Sequence, residues 1–95
     1  SIIVNVARGA LVDEDAMVAA VRDGRIAGAG TDVAVEEPPN QTSALLNTPG
    51  IVVTPHTAGV TDGTARRRAA GALVNLDRVA AGLEPLDRVD RLPRH

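Results

Sequence analysis

The fold is predicted by residues 2–33, which read IIVNVARGALVDEDAMVAAVRDGRIAGAGTDV. The continuous apolar run Ile2-Ile3-Val4 is typical of a strand that is buried on both faces. Asp13 has the side chain of a helix N-cap, and Gly24 is a common helix stop, so a helix is expected between them. A second strand is predicted over 26–33. Strand, helix and strand in this order form a right-handed βαβ unit, and its two strands are parallel.

The rest of the chain adds a third strand and a long helix. Pro, Asn and Gly dominate residues 36–50, which indicates a loop containing one helical turn at Ser43 to Leu46. A third strand is predicted over 51–54. A helix then runs to about Ala81, ended by Gly82. Its N-cap is Thr61 or Asp62, and the spacing of residues leaves both open.

These elements predict an α/β fold with a parallel sheet of about three strands and flanking helices. The predicted body of the domain covers residues 1–82. Residues 83–95 are polar, contain two prolines and are interpreted as a tail.

Composition limits the classes of protein to which the chain can belong. The 95 residues include 44% hydrophobic residues but no Phe, Tyr or Trp, so we expect an aliphatic core and marginal stability. The net charge of -2 argues against nucleic acid and anionic membranes as partners. Without Cys there is no disulfide and no thiolate metal site, and no metal centre is predicted. No apolar run reaches the roughly 18 residues of a membrane span, and no signal peptide is visible, so a cytoplasmic location is expected.

Side chains suited to acid–base chemistry follow each predicted strand. Arg8 follows the first strand, Asp32 lies at the end of the second, the pair Glu36-Glu37 follows it, and His56 follows the third. Because parallel strands lie about 4.8 Å apart and end at one edge of the sheet, their loops can meet over one crevice. There an Arg can clamp a carboxylate, a His can transfer a proton, and a Glu can orient the imidazole and favour its charged form.

Each of these residues also has a purely structural interpretation. Arg8 could be a surface turn residue, Asp32 could cap the next turn, and His56 could be solvent-exposed. Spacing alone leaves open whether Glu36 or Glu37 faces the histidine. Gly9 is expected to adopt backbone angles denied to Arg8 and thereby to turn Arg8 outward.

Three motifs in this order resemble the D-isomer-specific 2-hydroxyacid dehydrogenases. They are NVARGALVDEDAMVAAVRDGRIAGAGTDV at 5–33, the pair Glu37-Pro38, and TPHTAG at 54–59. The resemblance covers Ser1 to about Val89. It implies the carboxyl-terminal part of a Rossmann-type, doubly wound NAD-binding domain. The Pro that follows Glu37 matches the family and selects Glu37 over Glu36.

The resemblance also implies roles for individual residues. Arg8 would bind the substrate carboxylate and help to polarise the carbonyl, His56 would be the general acid and base, and Glu37 would be its partner. Position 34 is Ala, whereas the family often has an aromatic residue there. The implied contacts with NAD lie on the same loops: Val6, Ala7, Arg8, Asp32, His56, Ala58 and Gly59.

The function implied by the resemblance is the NAD-dependent interconversion of a D-2-hydroxy acid and a 2-oxo acid of the phosphoglycerate, glycerate or hydroxypyruvate kind. The full-length protein is expected to be a homodimer. The family's GxGxxG-type phosphate loop would lie upstream of the equivalent of Ser1, so these residues alone are expected to be inactive. The alternatives are a non-catalytic truncated relative, an interaction module, or a non-functional gene fragment. A Gly-rich loop upstream in the same reading frame would favour the enzyme.

Overall fold

The computed structural model describes residues 1–91, and these form two compact units. The first unit is Ser1–Gly59, and the second begins at Val60. The predicted division into a body of residues 1–82 and a tail stays a prediction. The last four residues of that tail lie outside the described part.

The first unit contains a three-stranded parallel sheet in the order β1-β2-β3, which confirms the predicted fold class. The strands are β1 at Ile2–Asn5, β2 at Gly28–Thr31 and β3 at Ile51–Val53. The β2 strand is shorter than the predicted 26–33. At its end, the Thr31 hydroxyl donates to the carbonyl of Val33 at 2.6 Å and turns the chain away from the sheet.

Two helices of the first unit begin at side-chain caps. The α1 helix covers Glu14–Arg22, and the Asp13 carboxylate accepts from the Ala16 N–H at 3.0 Å, which confirms the predicted N-cap. The short α2 helix, Ala44–Asn47, confirms the helical turn predicted inside the loop, and Ser43 caps it. Gly24 follows α1 with a φ of 70°, as a helix-ending glycine does.

The core lies between the sheet and these two helices and is aliphatic. Met17, Ala29, Ala34 and Leu45 are buried together, and Leu45 is only 2% exposed. The opposite face of the sheet is not covered by any element of the first unit, since Ile2 is 68% exposed and the other apolar side chains on that face are similar. The prediction that the first strand is buried on both faces is therefore wrong for this unit, because α1 and α2 cover one face only.

The second unit contains α3, Thr64–Ala80, and the segment after it. The predicted N-cap is wrong, because Gly63 takes that position and the Thr61 hydroxyl pairs with the Thr64 hydroxyl at 2.6 Å. Gly82 follows the helix with a φ of 74°, as predicted. The segment beyond folds back on α3, since the Asn75 side chain accepts from the Leu86 N–H at 2.7 Å. No helix in residues 1–91 is both long and apolar enough to cross a membrane.

Candidate active site

The loops after β1, β2 and β3 lie at one edge of the sheet, because the three strands are parallel. These loops carry Arg8, Glu37 and His56, so the structure places the predicted trio at the carboxyl ends of the strands. A pocket of about 310 Å³ opens beside the last two residues. Asp32 also lines it, and prolines and valines form most of the remaining wall.

Glu37 and His56 form a direct pair across the pocket. The Nδ1 atom of the imidazole lies 2.6 Å from Oε2 of the carboxylate. An ionised carboxylate can only accept, so Nδ1 carries the proton of this hydrogen bond. Nε2 has no hydrogen-bond partner in residues 1–91, and the His56 side chain is 50% exposed. The nitrogen that is left open is therefore the one able to exchange a proton with a ligand.

The Glu37 carboxylate is stabilised in its ionised form. Its pKa is lowered from the ordinary 4.5 first by the hydrogen bond from His56 and then by the Ala34 N–H, which donates to Oε1 at 3.0 Å. The positive charges of His56 and Arg8 lower the pKa further. A carboxylate that stays ionised keeps the imidazole oriented over a wide pH range.

Arg8 lies on an exposed loop whose backbone is hydrogen-bonded to the side chain of Asn5. The Asn5 side chain, at the end of β1, donates to the Arg8 carbonyl at 2.9 Å and accepts from the Ala7 N–H at 3.1 Å. Asn5 is 8% exposed, so a buried side chain anchors this exposed loop. The guanidinium donates to the Ala7 carbonyl and forms no ion pair within the described residues. Its charge is thus available to an anionic ligand.

Gly9, which follows Arg8, packs closely against the backbone of the loop that carries Glu37. A Cβ atom at Gly9 would lie 2.1 Å from the carbonyl carbon of Ala34 and 2.4 Å from the nitrogen of Val35. Gly9 is not among the glycines with positive φ. The expectation that unusual backbone angles explain this glycine is wrong, because the reason is the close approach of two backbone segments.

Asp32 connects the end of β2 to the loop after β3. Its Oδ1 accepts from the Thr54 hydroxyl at 2.5 Å and from the Thr57 N–H at 2.9 Å, and its Oδ2 accepts from the Ala58 N–H at 2.9 Å. The pKa of Asp32 is lowered from the ordinary 3.8, first by the Thr54 hydrogen bond and then by that of Ala58. The carboxylate is therefore ionised, although the residue is only 5% exposed.

The other residues predicted to contact NAD lie on the same loops and are exposed to solvent: Val6, Ala7, Ala58 and Gly59. Two of their N–H groups are already occupied, because Ala7 donates to Asn5 and Ala58 donates to Asp32. Their cofactor contacts stay predictions, and those contacts would use other atoms of these loops. The described residues contain no cluster of three or more side chains that could hold a metal ion.

Two supporting residues were missed by the sequence interpretation. Asn5 directly follows an apolar run, and a polar amide at a strand end is a signal that could have been used. Glu14 accepts from the Val35 N–H at 2.7 Å and so holds the loop that leads to Glu37. No local pattern indicates this contact, because the two residues are far apart in sequence and Glu14 looks like an ordinary first-turn helix residue.

Comparison with known proteins identifies the family. Residues 1–58 match the family described as D-isomer specific 2-hydroxyacid dehydrogenase, NAD binding domain. The chain is 44% identical over 82 residues to glyoxylate/hydroxypyruvate reductase B of Pectobacterium carotovorum, covering 86% of this chain and 26% of that protein.

Solved structures show the same likeness. A D-isomer specific 2-hydroxyacid dehydrogenase from Xanthobacter autotrophicus Py2, crystallised with NADPH and MES, superposes with a TM-score of 0.83 at 40% identity, over 95% of this chain and 36% of that one. A D-lactate dehydrogenase with NAD+ from Lactobacillus jensenii gives a TM-score of 0.79 at 30% identity, over 96% and 31%.

The chain spans about a quarter of the length of the curated relative named above. The family match covers more than half of the chain and includes all three strands and the loops that carry Arg8, Glu37 and His56. The chain therefore belongs to the D-isomer specific 2-hydroxyacid dehydrogenase family, through the NAD-binding domain of that family.

Proposed function

We propose that this chain supplies the proton-transfer and carboxylate-binding side chains of an NAD-dependent D-2-hydroxyacid dehydrogenase. The single observation that supports this most is the 2.6 Å pair of His56 and Glu37 at the carboxyl edge of a parallel sheet. Ligands of open α/β sheets bind at that edge. An oriented imidazole there has the geometry that general acid–base catalysis requires.

In this proposal His56 exchanges the proton of the substrate hydroxyl. During oxidation of a 2-hydroxy acid, Nε2 accepts the hydroxyl proton, and during reduction of a 2-oxo acid the imidazolium returns it. Glu37 holds the Nδ1–H throughout and compensates the charge of the imidazolium. The Arg8 guanidinium binds the substrate carboxylate, for which its forked geometry is suited.

The pocket fits one end of a dinucleotide cofactor rather than the whole molecule. Its volume of about 310 Å³ is at the lower limit of ligand pockets, roughly 300–1,000 Å³. Apolar walls with a few polar groups suit a flat ring and a small acid. When bound, the nicotinamide supplies the hydride chemistry at C2 of the acid. Glyoxylate and hydroxypyruvate are the proposed 2-oxo acids, following the name of the Pectobacterium relative. The homodimer and the cytoplasmic location stay predictions.

A chimera tests the proposal directly, because the chain covers only part of the length of its relatives. Residues 1–58 would replace the matching segment of the Pectobacterium reductase, and NADH oxidation would be followed with glyoxylate and hydroxypyruvate. We expect turnover by the chimera and a loss of about 10²–10⁴-fold in kcat on His56→Asn. The 95-residue chain alone is expected to show no turnover, since no GxGxxG loop occurs in its sequence.

Matched variants sharpen the result. Glu37→Gln should lower kcat because it removes the carboxylate that orients the imidazole, whereas Glu36→Gln, at the neighbouring exposed position, should not. Arg8→Lys should raise KM for the 2-oxo acid, because an ammonium cannot form the two parallel hydrogen bonds of a guanidinium. A His56→Asn chimera that retains full activity would refute the assignment.

One observation favours the alternative, a non-catalytic relative that serves as an interaction module. The face of the sheet opposite the helices exposes Ile2, Val4 and Val52, each by two thirds or more. An apolar face of this kind is typical of a surface that another structural element covers. A folded chimera that binds NADH but turns over neither acid would favour this second function.

A further inference from the structure

The backbone at His56 is in an unusual conformation. Its φ of 56° lies in the left-handed region, which only a few per cent of residues other than glycine adopt, with Asn, Asp and His the most frequent among them. Such a conformation persists only where the surrounding structure imposes it. The turn's own hydrogen bond, from the His56 N–H to the Thr54 carbonyl at 3.0 Å, spans only two residues. Contacts from outside the turn must therefore hold it.

The Asp32 carboxylate provides those contacts on both sides of the histidine. It accepts from Thr54, two positions before His56, and from Thr57 and Ala58, the two positions after it. Both oxygens are used, and the residue is almost fully buried. Because Asp32 follows β2, which is hydrogen-bonded to both neighbouring strands, the support is attached to the centre of the sheet.

We propose that Asp32 is a positioning residue, whose carboxylate holds the left-handed turn at His56 so that the imidazole meets Glu37. The significance of this position for catalysis rests on the function proposed above, whereas the geometric claim does not. The role differs from the nicotinamide contact expected for Asp32 from the family resemblance. A carboxylate already accepting three hydrogen bonds is committed to the loop before any cofactor arrives.

Substitution of Asp32 by Asn removes the negative charge and one acceptor oxygen while keeping the size and shape of the side chain. One oxygen of Asp32 would become an NH2 group that faces N–H or O–H donors, so at least one of the three hydrogen bonds must be lost. Hydrogen bonds to charged groups are the stronger ones, and losing one should raise amide exchange at Thr57 and Ala58 by about 10-fold to 100-fold. The imidazole should then separate from Glu37.

NMR of the isotopically labelled 95-residue chain measures both effects without any activity assay. In the unsubstituted chain, the ring ¹⁵N shifts of neutral His56 should report the Nδ1–H tautomer that Glu37 selects. In Asp32→Asn they should move to the Nε2–H tautomer, with faster exchange at Thr57 and Ala58. The matched control is Asp23→Asn, an exposed aspartate of the same unit, which should change neither. An unchanged tautomer and unchanged exchange in Asp32→Asn would overturn the proposal.

A second pair of variants covers the case in which Asp32→Asn does not fold. Thr54→Val removes only the hydroxyl donor, and Thr54→Ser retains it. We expect the tautomer shift in Thr54→Val and its rescue in Thr54→Ser, and identical spectra for the two variants would contradict the proposal.

Kinetics of the chimera separate positioning from a cofactor contact. A positioning role for Asp32 predicts a fall in kcat on Asp32→Asn with little change in KM for NADH. A rise in KM for NADH with unchanged kcat would instead assign Asp32 to the cofactor and overturn the positioning role. If the proposed function fails and no chimera is active, the NMR result still decides the geometric claim.

Discussion

Replacing Gly9 by Ala tests how tightly the two loops of the site are joined. The added Cβ would lie 2.1 Å from the carbonyl carbon of Ala34, whereas real contacts of this kind are essentially never shorter than 3.0 Å. The backbone segments must therefore separate by about 0.9 Å, the difference between these two distances. The atoms that are met belong to the backbone, so no side-chain rotation relieves the clash.

The stability cost follows from that displacement. Overpacking of a well-packed position costs about 1–3 kcal/mol, and each kcal/mol lowers the Tm of a domain of this size by about 4–8 °C. The same shift moves Arg8 away from Glu37 and its partner. A misplacement of about 1 Å in a catalytic geometry can lower activity by about 10²-fold, so a chimera carrying Gly9→Ala should be impaired more than its stability explains.

Thermal unfolding followed by far-UV circular dichroism measures the effect, since the chain has no aromatic residue to serve as a fluorescent probe. Gly30→Ala is the matched control, because a Cβ at Gly30 meets nothing within 4 Å. The control should be neutral or stabilise by up to about 1 kcal/mol, as Ala does relative to Gly in a strand. Equal Tm values for the two variants would refute the close approach at Gly9.

Three further outcomes are expected. Leu45→Ala should lower the free energy of unfolding by about 2–5 kcal/mol in urea titrations, because Leu45 is 2% exposed, whereas Leu46→Ala at a 42% exposed position should cost much less. Asp13→Ala should cost about 0.5–2 kcal/mol by removing the cap of α1, with a matching loss of helical signal. Acidification should destabilise the chain: the pKa of Glu37 lies below its ordinary 4.5, so the stability it adds is present above that value and is lost as the pH falls through the lowered pKa. Glu37→Gln should reduce this loss between neutral and strongly acidic pH, and an identical pH profile would contradict the assignment.

The position of the site could be predicted from sequence because of the geometry of parallel strands. Once three apolar runs are identified as parallel strands, the residues after them must lie at one edge of the sheet. Arg8, His56 and the pair Glu36-Glu37 were found in this way, the family resemblance then selected Glu37, and the structure places the trio at that edge. The N-cap of α1 could also be predicted from the sequence, because an N-cap depends on residues only three positions apart.

The supports of the site could not be predicted in the same way. Glu14 and Val35 meet only because α1 packs beside the loop after β2, and Asp32, at the end of β2, meets Thr57 only because β3 pairs with β2. The sequence around an acidic residue does not indicate from which distant N–H group its carboxylate accepts a hydrogen bond. The predicted N-cap of α3 was wrong for a similar reason, because the Thr61 hydroxyl pairs with another side chain and not with the helix backbone.

The sequence by itself determined the class of fold, the order of the strands along the chain and the edge at which the polar residues gather, because these follow from local periodicity and from the direction of each strand. Only the tertiary structure decided that Gly9 is needed for a close contact, that Asp32 accepts hydrogen bonds from both sides of His56, and that the helices of the first unit cover only one face of its sheet. Those features depend on distances between residues far apart in the chain, and such distances exist only after the elements have packed.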